Sequence, residues 1–176
     1  YKLRYDICDV GRLVREQLAM FGPTAQQRRI RLIEEIPDRL MQSTDREALT
    51  KIISNLLSNA LRFAAEEIHI CIDRRDDGLV MKVWDDGPGI PAEEREKVFE
   101  AFYQTRNNGF ASGVGIGLHL CRIFIRLMGG TITATERPDG KSGALLTAFI
   151  PEPASEKMDI RVETRLNTET VGQSQL

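Results

Sequence analysis

Three groups of residues in this sequence have the types and spacing to do chemistry together. Asp85 follows an alternating apolar run in phase with Leu79, Met81 and Val83, which puts its carboxylate on the core-facing side of a strand. An ionised carboxylate there is costly unless hydrogen-bonded, and no cation follows in phase. At a strand end beside glycines it can accept a hydrogen bond from a ligand amino group, or simply cap the following turn. Asn55, Asn59 and Arg62 recur at i, i+4 and i+7, on a stripe separate from the apolar face of their helix. Amide oxygens are hard, neutral ligands suited to Mg²⁺, and a guanidinium can meet phosphate oxygens. A solvated polar face is the plainer use of that stripe, though mid-helix asparagines are poor helix formers.

The glycines form the third group. Ten of the fourteen lie between Gly87 and Gly143, concentrated in Asp85-Asp86-Gly87-Pro88-Gly89-Ile90-Pro91 and Gly113-Val114-Gly115-Ile116-Gly117-Leu118. The second cluster directly precedes a predicted helix, where free N–H groups and the helix dipole favour an anion; a hinge or close-packed turn would use the same glycines. Neither common phosphate fingerprint is present. Leu118 occupies the last glycine position of G-x-G-x-x-G, and Thr135 stands where a P-loop ending in Gly140-Lys141-Ser142 needs its first glycine.

The elements that must position these groups follow from periodicity. Residues 3–7 alternate as a short strand, Asp9 can cap a helix carrying Leu13, Val14, Leu18 and Phe21, and 30–36 reads as a second strand ended by Pro37. Ser43, Thr44 and Asp45 offer caps for a helix to about Ala64, with core stripe Ala48, Leu49, Ile52, Ile53, Leu56, Leu57 and Ala60. Two alternating strands then turn at Asp76-Asp77-Gly78, followed by a loop from about 85 to 113. A helix from about Gly115 ends at Gly129-Gly130, and 131–136 with 144–150 form a closing hairpin. The order is α+β, not regular βαβ: a two-layer α/β sandwich with a mixed β-sheet of about five strands on about three helices. Residues 1–152 read as one domain and 153–176 as a polar linker or tail.

Composition narrows the class. The 176 residues carry a net charge of −2, so no global basic field points to nucleic acid. Three scattered cysteines and two histidines make a zinc cage unexpected and suit reduced thiols in a cytoplasmic domain. No apolar run reaches the roughly 20 residues a spanning helix needs, so no direct membrane contact is expected. A start at Tyr1, without methionine, suggests a piece of a longer protein.

Taken together, the motifs resemble the ATP-binding catalytic domain of bacterial sensor histidine kinases, of the Bergerat fold. The wider superfamily includes DNA gyrase B, heat-shock chaperone ATPases and mismatch-repair ATPases. Asn55 to Phe63 resembles the N box, Asp85 to Pro91 the G1 box, Phe99-Glu100-Ala101-Phe102-Tyr103 the F box, and Gly113 to Leu118 the G2 box. The last strand, Gly143 to Pro151, is also similar, though Ala144-Leu145 replaces the usual hydroxyl residues and Arg62 the commoner lysine. The resemblance implies two cofactors, ATP and Mg²⁺. Asp85 would accept from the adenine amine, with Gly87, Gly89 and Ile90 shaping the pocket. Asn59, with Asn55 beside it, would coordinate Mg²⁺. Arg62 would approach the phosphates and Phe63 the nucleoside. Tyr103, Gly113, Gly115, Gly117 and Leu118 would line the ATP site. Residues about 100–113 would form a mobile lid, with Arg106 reaching the γ-phosphate.

Position 55 discriminates within the superfamily. Gyrase-like ATPases place a water-activating glutamate there; Asn55 has no useful basicity, which implies phosphotransfer rather than hydrolysis. Neither His69 nor His119 has a phosphoacceptor setting, and both read as packing or surface residues. The expected partners are phosphoacceptor and dimerisation helices of the same polypeptide, a response-regulator receiver domain, and a second copy in a homodimer. An anti-sigma-type serine kinase or a nucleotide-sensing interaction module is the alternative.

Overall fold

The chain runs β1 (Asp6–Asp9), α1 (Val10–Gln27), β2 (Arg31–Glu35), β3 (Met41–Thr44), α2 (Arg46–Phe63), β4 (Glu67–Arg75), β5 (Gly78–Asp85), α3 (Gly117–Leu127), β6 (Thr131–Glu136) and β7 (Ala144–Pro151). This is a computed structural model that describes residues 1–75, 77–104 and 114–153. Two single 3-10 turns, Ala92–Glu94 and Lys97–Phe99, interrupt the region predicted as loop.

Five strands form one mixed sheet in the order β2-β4-β5-β7-β6. Only the β2–β4 pair is parallel; β4–β5, β5–β7 and β7–β6 are antiparallel. The register explains the two layers. Ile68, Ile70 and Ile72 of β4 share a face with Met81 and Val83 of β5 and with Leu146, Ala148 and Ile150 of β7, all buried. Alternation sends His69, Lys82 and Trp84 to the opposite, half-exposed face, where the His69 and Trp84 rings stack with centroids 4.8 Å apart.

Helix α2 covers the buried face with Ala48, Leu49, Ile52, Ile53, Leu56, Leu57, Ala60 and Leu61. Each fully buried Leu or Ile contributes on the order of 1.5–3 kcal/mol over an exposed one, far more than the polar stripe could. Its start is fixed by Asp45, whose carboxylate accepts from Ala48 N (2.8 Å) and also from Arg4 N (2.7 Å) and the Tyr1 hydroxyl (3.1 Å). Glu47 in the first turn and Arg62 in the last complement the helix dipole.

The α+β sandwich agrees with the sequence expectation, with two differences. The strand predicted over 3–7 forms at Asp6–Asp9, because Asp9 caps α1 through Arg12 N. Its partner β3 was not anticipated. Met41-Gln42-Ser43-Thr44 has no apolar alternation; its polar residues are buried by packing, with Gln42 Nε2 donating to Ile150 O at 3.3 Å. β1 and β3 pair as a separate two-stranded sheet. Almost all of the predicted tail at 153–176 lies outside the described residues. Among them, no helix is long and apolar enough to cross a membrane.

Candidate functional site

The elements carrying the three sequence groups converge on one cleft of about 220 Å³. Eleven of the predicted site residues line it: Asn55, Asn59, Arg62, Phe63, Asp85, Gly89, Ile90, Tyr103, Gly115, Gly117 and Leu118. Gly87 stands behind the wall, where its N–H donates to Asp85 Oδ1 at 2.8 Å. Arg106 and Gly113, with most of the predicted lid, lie outside the described residues.

The cleft has two chemically distinct ends. At one, β5 delivers Asp85 in phase with the core, leaving it only 3% exposed. Burial pushes its carboxyl up to about 6, against the pull of the Gly87 and Ala144 N–H groups. The result is a largely desolvated acceptor that is still mostly ionised at neutral pH. Ala144 lies beside it, its N–H bonded to the carboxylate, and Ile90 and Val98 add apolar lining to the cleft. The other end is built by α2 and α3. Asn55 lies about 12 Å along the α2 axis from Phe63, at about 1.5 Å per residue. There the start of α3 meets it: a Cβ on Gly117 would stand 3.2 Å from Asn55 Oδ1, so the glycine leaves that oxygen open. Among the described residues no side chain caps α3, and its first turn holds no acidic residue, so its positive dipole end suits an anion.

Gly115 joins the turn before α3 to the Phe99–Tyr103 segment. Its φ is +71°, and a Cβ would lie 2.6 Å from Tyr103 O, so this close crossing requires glycine. Phe102 N donates to Gly115 O (2.9 Å). His119 Nδ1 lies 2.9 Å from Phe99 O, tying α3 to the same segment. Both histidines are therefore engaged in packing: His119 here, and His69 against Trp84 and 3.4 Å from Glu67 on the far sheet face.

Asp85 is the one carboxylate among the described lining residues. Those residues also hold no group of three or more His, Cys, Asp or Glu able to cage a metal. A cation here would have to share its shell between the amide oxygens of Asn55 and Asn59 and the oxygens of a bound anion, a donor set that fits Mg²⁺.

Six lining residues were missed from the sequence: Ser58, Val98, Gln104, Val114, Ile116 and Ala144. Ser58 was legible as part of the Asn55–Arg62 stripe. Ala144 was legible only as the extension of the inward face of β7, in phase with Leu146 and Ala148.

A family model described as histidine kinase-, DNA gyrase B-, and HSP90-like ATPase matches residues 44–154. The sensor histidine kinase TmoS of Ectopseudomonas mendocina is 36% identical over 160 residues, 88% of this chain and 16% of that protein. The alginate biosynthesis sensor protein KinB of Pseudomonas aeruginosa is 37% identical over 154 residues, 85% of this chain and 25% of that one. The chain thus spans a quarter or less of either relative. Among solved structures, the nucleotide-free catalytic domain of histidine kinase ThkA superposes with a TM-score of 0.74 at 27% identity, covering 85% of this chain and 98% of that domain. ThkA in complex with the response regulator TrrA matches with a TM-score of 0.72 at 26% identity, covering 85% of this chain and 42% of that one.

Proposed function

The chain belongs to the histidine kinase-, DNA gyrase B- and HSP90-like ATPase family, as the ATPase domain of the sensor histidine kinase type, and from that premise we propose that it binds ATP with Mg²⁺ and presents the γ-phosphate to a histidine on acceptor helices of a longer polypeptide. Asp85 accepts the hydrogen bond of the adenine amino group. Phe63 and Ile90 flank the nucleoside, Arg62 neutralises phosphate charge, and the start of α3 with Gly115, Gly117 and Leu118 receives the phosphate chain. Asn59 and Asn55 hold Mg²⁺ together with phosphate oxygens; the metal, when bound, spreads the charge that develops on the transferring group. Arg106 and Gly113 are proposed as further contacts from the lid.

One observation carries the choice of transfer over hydrolysis. Among the described lining residues the carboxylate is Asp85, at the base end, while Asn55 stands against Gly117 at the start of α3, where the phosphates are proposed to lie. An amide cannot take a proton from water near neutral pH, so among the described lining residues no side chain at that end is suited to generate a hydroxide nucleophile. The acceptor must bring its own nucleophile, and a histidine imidazole does.

Residues 1–152 act as the ATP-binding unit. The proposed partners are the acceptor and dimerisation helices, through which two copies associate, and a receiver domain, in line with the ThkA–TrrA complex; the setting is the cytoplasmic side. The matched relatives are sensor kinases, so a serine-kinase reading is not favoured. The test is calorimetric titration of the chain with ATP, with and without Mg²⁺, alongside steady-state ATP hydrolysis. Magnesium-dependent binding with negligible turnover is expected. Turnover at gyrase-like rates that Asn55→Ala abolishes would overturn the transfer reading.

A further inference from the structure

Asp86 neighbours the base-end carboxylate but faces the other way. Successive residues at a strand end alternate, so Asp85 points into the cleft and Asp86 toward the exit of α2. There its carboxylate collects three consecutive backbone N–H groups: Ala65 (2.8 Å), Glu66 (3.1 and 3.0 Å to the two oxygens) and Glu67 (3.2 Å). These donors fall where α2 has ended and the β4 ladder is only beginning. The last intrahelical bond is Ala64 N to Ala60 O. Burial raises the Asp86 carboxyl, but the Glu66, Glu67 and Ala65 N–H groups outweigh it and hold the group below its usual range, so it is ionised at neutral pH. The next residue is pressed on the same helix end: a Cβ on Gly87 would stand 2.4 Å from Phe63 O. From the other side Ser142 Oγ donates to Gly87 O at 2.7 Å.

We propose that Asp86 is a positioning residue for the nucleotide site: by clamping the exit of α2 to the end of β5, it sets the separation between the phosphate-end groups on α2 and the base-end carboxylate on β5. The inference rests on the nucleotide reading above. Among the described residues Asp86 is not part of the cleft lining; through the exit of α2 it sets where Asn59 and Arg62 stand relative to Asp85 on β5. A residue that only stabilised the turn would affect every ligand alike. One that sets the span matters most to a ligand engaging both ends.

The experiment compares ATP·Mg²⁺ with adenosine, which reaches from the base end only to the sugar, in calorimetric and NMR titrations of the 176-residue chain. For Asp86→Ala, ATP·Mg²⁺ affinity falls at least tenfold while adenosine affinity stays within about threefold. Asp86→Asn keeps one acceptor oxygen toward the three donors and gives an intermediate loss with the same selectivity. Thermal unfolding of each variant accompanies the titrations; if Asp86→Ala does not fold, the ratio measured on Asp86→Asn decides by the same criterion. Equal losses for both ligands, or unchanged ATP affinity, overturn the positioning role. Failure of the unsubstituted chain to bind ATP overturns the nucleotide reading, and this inference with it.

Discussion

Gly143 lies directly on the backbone of Asp85: a Cβ built at position 143 would stand 1.9 Å from the Asp85 carbonyl oxygen and 2.6 Å from Arg137 Cδ. The φ of Gly143 is +139°, in the region that favours glycine. Arg137 cannot retreat easily, since it is buried and paired with Glu67 (3.1 Å) and Asp139 (2.8 Å). Gly143→Ala therefore forces β7 away from the end of β5. It should cost on the order of 2–4 kcal/mol, read as a lower urea midpoint, and weaken ATP binding in whatever fraction still folds. A variant as stable as the parent would mean that this crossing tolerates a side chain.

Asp85→Asn should move affinity and stability in opposite directions. The amide turns an NH₂ toward the adenine amine or loses charge assistance, so ATP affinity falls at least tenfold. The folded carboxyl is raised from 3.8 to about 6. Between those values the folded state binds more protons than the unfolded state, so stability falls as pH rises through that window and the full cost is present above about pH 6. Removing the charge should therefore stabilise the ligand-free chain at pH 7–8 by up to about 3 kcal/mol, a gain that vanishes near pH 4. Thermal melts of both proteins across that range check the sign.

The same titration governs binding. The adenine amine needs the ionised acceptor, so adenosine affinity should drop as pH falls through about 6, by at most tenfold per unit. Adenosine is the suitable probe because it carries no phosphate that titrates nearby. A flat affinity from pH 5 to 8 would contradict the assignment of Asp85 to the base.

Asn59→Ala should remove most of the Mg²⁺ dependence of ATP binding while leaving adenosine binding intact. Asn55→Ala should do so more weakly, because Gly117 and the start of α3 still hold the phosphate end. Calorimetry over a magnesium series separates the two, and an unchanged magnesium response in Asn59→Ala would remove that residue from the metal site.

Asp45→Ala tests the fold independently of the ligand. The carboxylate caps α2 through Ala48 N and takes the Arg4 N–H and Tyr1 hydroxyl besides. Its loss should destabilise the chain by about 2 kcal/mol. Burial raises the carboxyl, but the backbone donors outweigh it and leave it below its ordinary value. Its contribution is present above the unfolded pKa and lost as pH falls through the folded one, so wild type and variant should converge in stability at low pH.

By itself the sequence determined most features that repeat within one element, the strand read over 3–7 excepted. The phase of Asp85 with Leu79, Met81 and Val83 follows from the two-residue strand period, and the separation of Asn55, Asn59 and Arg62 from the core stripe follows from the helical one. Both are local rules, and both hold in the structure. Tertiary structure alone decided what depends on residues far apart in the chain. It made a strand of Met41–Thr44, whose polar side chains are buried by neighbours rather than by pattern. It brought the start of α3 against Asn55, and Gly143 onto Asp85. It also turned Asp86 to collect donors from Ala65, Glu66 and Glu67, some twenty positions away. The physical reason is that periodicity reports which face of an element is apolar, whereas the meeting of two faces is set by packing the whole core. A cleft is made of such meetings.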